Sequence, residues 1–103
     1  MLKLTLIAVA SAAALVGAAS QAVAAPPEFC ERYAHDAVRQ NHEARDHERC
    51  RDAIRDQNAP GRWSDDYRAH YDWCRGVSRE QADAERAARA DTLRMCRRPR
   101  GGY

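Results

Sequence analysis

From residue 28 onward, small and apolar side chains return every third or fourth position, the spacing of one face of an α-helix. Cys30, Tyr33, Ala34, Ala37, Val38 and Asn41 make the first such stripe, and Ala44, Cys50, Ala53 and Ile54 carry it on more weakly. No Gly or Pro interrupts residues 28–59, so the helix is predicted to reach about Gln57, or to end near Cys50 with a short turn after it. Asn58-Ala59-Pro60-Gly61 is a turn cluster. Ser64 is then placed to N-cap a second helix, with Asp65 and Asp66 in its first turn and Trp63, Tyr67, His70, Tyr71 and Cys74 along one face. Gly76 ends it. Ser78, with Gln81 three residues on, forms a capping box for a third helix to about Arg98, whose inner stripe is Ala82, Glu85, Arg89, Leu93 and Cys96. Nothing alternates with period two, so no sheet is predicted and the expected fold is all-α.

The first 25 residues follow a different pattern. Lys3 is the one charge before Glu28, and Leu4 to Ala19 is apolar or small apart from Thr5, Ser11 and Gly17. Ala22-Val23-Ala24-Ala25 then supplies small residues for a peptidase site. These are the three parts of a secretory signal peptide, with cleavage after Ala24 or Ala25. The apolar run is short and Ala-rich against the roughly 20 strongly apolar residues of a membrane span. We therefore expect residues 1–25 to be removed, residues 26–98 to form one helical domain, and residues 99–103 to be a loose basic tail end. The mature chain is expected in the periplasm or medium, and not as a membrane-spanning protein.

Without that segment the core is thin. Its aliphatic, Phe and Met side chains are Phe29, Val38, Ile54, Val77, Leu93 and Met95. Chains of this size often need covalent staples, and an even four cysteines in an exported chain read as two disulfides. On a continuous first helix Cys30 and Cys50 lie about 30 Å apart, at about 1.5 Å per residue. That excludes their pairing, and Cys74 with Cys96 fails for the same reason. Two arrangements survive. Cys30–Cys96 with Cys50–Cys74 is symmetric about residues 62–63, beside Pro60-Gly61, and suits a helical hairpin; it is the pairing we expect. Cys30–Cys74 with Cys50–Cys96 requires a compact up-down-up three-helix bundle.

Charge changes the picture little. Every basic residue after Lys3 is arginine, sixteen against fifteen acids. Residues 28–93 hold twelve Arg and all fifteen acids, a net of −3, while Arg94, Arg97, Arg98 and Arg100 give residues 94–103 a net of +4. This mixed surface does not suggest nucleic-acid binding.

Candidate chemistry is sparse. Trp63, Tyr67, His70 and Trp73 could present a binding surface, although large rings also supply core. His42 with Asp46, and Glu43 with His47, stand four residues apart on the predicted first helix and could hold a divalent metal between imidazole and carboxylate. No H-E-x-x-H, C-x-x-C or C-x-x-C-H motif is present, and Ser64 and Ser78 are spent as caps. We expect no catalytic residues, no enzyme activity and no cofactor. The leading expectation is a periplasmic helical module that binds a protein or cell-envelope component; a metal-binding or metal-buffering protein is the alternative.

The pattern Cys30-x-x-Tyr33-Ala34-x-x-Ala37-Val38-x-Gln40-Asn41, then Cys50, then Arg62-Trp63-x-x-Asp66-Tyr67-x-x-His70-Tyr71-x-Trp73-Cys74, then Glu85-x-x-x-Arg89-x-x-x-Leu93-x-x-Cys96 resembles small exported four-cysteine helical proteins of alphaproteobacteria. The resemblance spans nearly the whole mature chain. It implies a compartment and an architecture, and assigns no site. In those proteins Cys-Gly often opens a short loop at the Cys50 position; in this chain Arg51-Asp52-Ala53 follows.

Overall fold

The computed structural model describes residues 23–99, within which four helices form and no strand does. The expected signal segment up to residue 22 and the tail from residue 100 lie outside the described residues. Helix α1 is Pro27–Arg45, α2 Glu48–Gln57, α3 Tyr67–Arg75 and α4 Arg79–Cys96.

Pro27 opens α1 at a position whose N–H would have no helical partner. The buried face is Cys30, Tyr33, Ala34, Ala37, Gln40, Asn41 and Ala44, which is the predicted stripe with Gln40 added and Val38 half-buried. The long first helix is not continuous. His47 takes an extended backbone (φ −119°, ψ 126°) and separates α1 from α2. The break is closed by polar contacts rather than by Gly or Pro: Asp46 N–H reaches the last carbonyls of α1, and Arg51 Nη1 donates to Arg45 O at 2.6 Å. Helix α2 ends on Asn58 in the left-handed region (φ 50°), which asparagine tolerates better than most side chains.

The N-cap of α3 is Asp66, not Ser64. Asp66 Oδ1 accepts from Ala69 N at 3.1 Å, while Ser64 Oγ accepts from Asp66 N at 3.0 Å. The serine closes the turn before the helix, and the carboxylate takes the place where the helix dipole favours negative charge. Ser78 and Gln81 form the expected capping box, Gln81 N donating to Ser78 Oγ (3.1 Å) and Ser78 N to Gln81 Oε1 (3.0 Å). Helix α4 stops at Cys96, two residues short of the expected end.

The cysteines pair as Cys30–Cys74 and Cys50–Cys96, with none free. This corrects the expected nested pairing. A hairpin needs one reversal, near residues 62–63; the chain reverses again at Gly76-Val77-Ser78. Helix α3 runs down α1, and α4 then runs parallel to α1, so that Arg86 meets Asp36, Arg89 meets Gln40 and Arg97 meets Glu43. Cys96 thus arrives at the end where Cys50 lies. The architecture is an up-down-up bundle, with α2 as a bent continuation of α1 packed on α4.

Each disulfide centres an apolar cluster. Around Cys30–Cys74 lie Ala25, Tyr33 and Ala82, edged by Phe29, Tyr71 and Val77. Around Cys50–Cys96 lie Ala44, Trp63 and Leu93, edged by Ala53 and Ile54. Between them along α1 and α4 sits a buried polar layer that includes Gln40, Asn41 and Arg89. In the orientation that satisfies both ends of its amide, Asn41 donates to Trp63 O (3.2 Å) and accepts from Arg45 Nε (3.3 Å), tying the 58–66 loop to α1.

Candidate functional site

The polar layer opens on one side into a cleft of about 410 Å³, bounded by α1, α3, α4 and the loop after α2. Arg89 lines it from α4 with no solvent exposure at all. A buried guanidinium must be held by acceptors, and two of the three nitrogens of this one are. Nε donates to Gln40 Oε1 at 2.8 Å, Nη1 to Tyr33 Oη at 3.2 Å, and Glu85 Oε2 stands 3.9 Å from Nη1. The guanidinium carbon also lies 5.0 Å from the centre of the Tyr33 ring. Gln40 is fixed in turn, its Nε2 donating to Arg86 O at 3.2 Å. Nη2 has no partner. Among the described residues it is the one buried side-chain nitrogen or oxygen so left.

Arg62, from the loop, and Glu85, from α4, close one edge as a two-point pair, Nε to Oε2 at 3.0 Å and Nη2 to Oε1 at 2.8 Å. That hydrogen bond holds the Glu85 carboxyl below its ordinary value, against the upward pull of burial. Burial pushes the Tyr33 phenol above its ordinary value despite the Arg89 charge, so Tyr33 keeps its proton and contributes no negative charge at neutral pH. His70 is buried on α3, and its Nε2 lies 2.7 Å from Ser64 O. A carbonyl only accepts, so Nε2 carries the proton. On the rim Trp73, 42 % exposed, leans on Tyr33 with ring centres 5.6 Å apart.

The Glu85 shift carries a pH prediction. A carboxyl whose folded pKa is depressed stabilises the fold above its unfolded value and loses that contribution as pH falls through the folded value. Thermal melts at decreasing pH should therefore show a declining midpoint below about pH 4.5, the ordinary value for Glu85. In Glu85→Gln that part of the decline should be absent. An equal slope in both proteins would show that the pair is not the titrating element.

Of the four aromatic and histidine positions expected to form a surface, the cleft takes two, His70 and Trp73. Trp63 is core, its Nε1 donating to Gln57 Oε1 at 2.8 Å. Tyr67 is half-buried between His35 and Tyr71, with ring centres 4.9 and 6.3 Å away. The proposed metal pairs stand elsewhere. His42, Asp46 and His47 are exposed, and Glu43 is engaged by Arg97 at 2.7 Å. The extended backbone at His47 takes it off the face it would share with Glu43 on a continuous helix. Among the described residues no three His, Cys, Asp or Glu gather as ligands. A wider groove of about 580 Å³ between α2 and α4 reaches Met95 and Cys96, but holds no unpartnered buried group.

Sequence reasoning did not pick out Arg62, Glu85, Arg89, Gln40 or Tyr33 as a site. The signal was present: Glu85 and Arg89 fall on the inner stripe of α4, where charge is costly.

Comparison with protein-family models, with curated proteins and with solved structures finds no match for this chain.

Proposed function

We propose that this protein is a non-enzymatic helical binding module of the periplasm, and that it engages a protein or envelope partner through the cleft between α1, α3 and α4. One observation carries the reading: a fully buried arginine keeps an unpartnered nitrogen at an aromatic-walled cleft. The other buried side-chain donors among the described residues are satisfied, and an unmet one beside a cleft is a natural place for a ligand acceptor. The rest of the cleft suits holding better than reacting. Arg62 and Glu85 are spent on each other, His70 is tied to a carbonyl, and no serine, threonine or cysteine lines the cavity.

The compartment is supported by the two disulfides, since such bonds persist in oxidising environments, and by the resemblance to exported four-cysteine proteins. No described helix is long and apolar enough to cross a membrane. Of the two candidate cleavage sites, the fold favours the bond after Ala24. Ala25 is buried, its N donates to Val77 O at 2.9 Å, and its O accepts from Arg75 Nη1 at 2.6 Å. Cleavage after Ala24 retains all three features. Intact-mass analysis of the periplasmic protein should give a chain beginning at Ala25; full-length chain confined to the cytosol would sink the export proposal.

Binding is tested by nuclear magnetic resonance on the oxidised mature protein, with a panel of neutral, cationic and anionic small probes and short peptides. The expected result is at least one probe that shifts the Trp73 indole and His70 ring signals and loses its effect in Ala69→Trp, which fills the cleft. Silence across all probe charges would refute the reading.

A further inference from the structure

We propose that the group this cleft takes is a single carboxylate attached to an apolar moiety, the chemistry shared by a peptide chain end and a free small acid. The inference rests on the binding-module reading and adds the ligand class.

The first argument is donor count. Of the five N–H donors of Arg89, the one on Nε and one on Nη1 are used by Gln40 and Tyr33, and Nη2 is the nitrogen with no partner at all. A carboxylate only accepts, and a hydrogen bond charged on both sides is about twice as strong as a neutral one. The second is charge. Arg62 and Arg89 face one carboxylate, Glu85, so the cleft holds one unbalanced positive charge. A monoanion cancels it; a phosphate dianion would bring excess charge to a place with one free nitrogen. A cation would meet two guanidiniums.

The third argument is the wall. Trp73 and the Tyr33 ring offer apolar surface beside the charge, and Trp73 is left partly uncovered. A ligand with an apolar group next to its carboxylate covers the indole while the acid lies against the Arg89 side of the cleft. The wall there must part slightly to open Nη2, an atom with no exposed surface in this structure. At about 410 Å³ the cleft has room for one amino-acid side chain and its terminal carboxylate.

The test is calorimetric titration of the oxidised mature protein with acetyl-Ala-Phe bearing a free carboxylate, its C-terminal amide, phenylacetate and inorganic phosphate. The peptide acid should bind, the amide about tenfold or more weaker, and phosphate not measurably. Because Arg89 is buried and its replacement can unfold the chain, two other variants carry the test. Glu85→Gln releases Arg62 and should tighten the acid about tenfold, whereas Trp73→Ala should weaken it by a similar factor. Phenylacetate matching the peptide supports a free small acid as the source; phenylacetate far weaker than the peptide supports a chain end. Equal binding of acid and amide, or weaker acid binding in Glu85→Gln, overturns the carboxylate assignment. If the amide alone occupies the cleft, that assignment fails while the binding module stands; silence of every probe ends both.

Discussion

Reducing the two disulfides is expected to unfold the protein, or to leave it molten, at about 37 °C. Each bridge ties residues 44 or 46 positions apart. In the chain-entropy model a loop of that length is worth about 4 kcal/mol, less any cost in the folded state. The two loops overlap between Cys50 and Cys74, so their contributions do not simply add. Either one is still large against the roughly 5–15 kcal/mol of an ordinary domain. The apolar content makes it larger in proportion: of the six Leu, Ile, Val, Phe or Met residues after residue 25, only Leu93 is buried. Each disulfide sits at the centre of its cluster, so reducing it also disturbs the packing there, where two thiols need more room than one S–S bond. Circular dichroism melts with and without reductant measure the effect. Cys30→Ser should cost about as much as Cys74→Ser, and Cys50→Ser about as much as Cys96→Ser. Non-reducing peptide maps should link Cys30 to Cys74. Melting indifferent to reductant would show that the thin core holds the fold without its staples.

The second large effect is expected at Arg89. Replacing it with alanine empties the middle of the polar layer and leaves Gln40 Oε1 and Tyr33 Oη without their donor. Two buried groups losing partners, together with the cavity, should cost about 3–4 kcal/mol. Arg89→Met keeps the volume and should cost roughly half as much. Adding Gln40→Leu to Arg89→Met should recover part of that loss, because an apolar pair leaves fewer polar atoms stranded than a broken one. Urea midpoints at unchanged m-value report these differences. Arg89→Ala within about 0.5 kcal/mol of the parent would show that the layer is not what joins the two apolar clusters.

Helix positions were legible where local chemistry decides them. The Ser78–Gln81 box, the Gly76 stop and the Asn58 turn all stand where the sequence puts them, because each depends on neighbours within four residues. The break at His47 was not legible. No Gly or Pro marks it, and the contact that closes it, the Arg51 side chain on the Arg45 carbonyl, joins residues six positions apart. The disulfide pairing turned on counting reversals. Both reversals are visible in the sequence, but the symmetry of the cysteines about residues 62–63 points to a hairpin and takes no account of the second. The cleft was half legible. Trp73 and His70 stood out as aromatic and titratable neighbours, while Arg89 read as one charged position in a weak stripe. Its significance depends on Tyr33 and Gln40, 56 and 49 residues away in sequence.

The crossed pairing of the cysteines has a further consequence, for survival among proteases. Exposed arginines, the side chains trypsin-like enzymes cut after, lie between Cys30 and Cys50 at Arg32, Arg39, Arg45 and Arg49, and between Cys74 and Cys96 at Arg75, Arg79 and Arg94. Had the bridges been nested, one nick in each stretch would release the middle segment, which would be bonded only to itself. In the crossed arrangement that segment holds Cys50 and Cys74, whose partners Cys96 and Cys30 sit in the two outer pieces. A chain nicked in both places therefore remains a single covalent molecule.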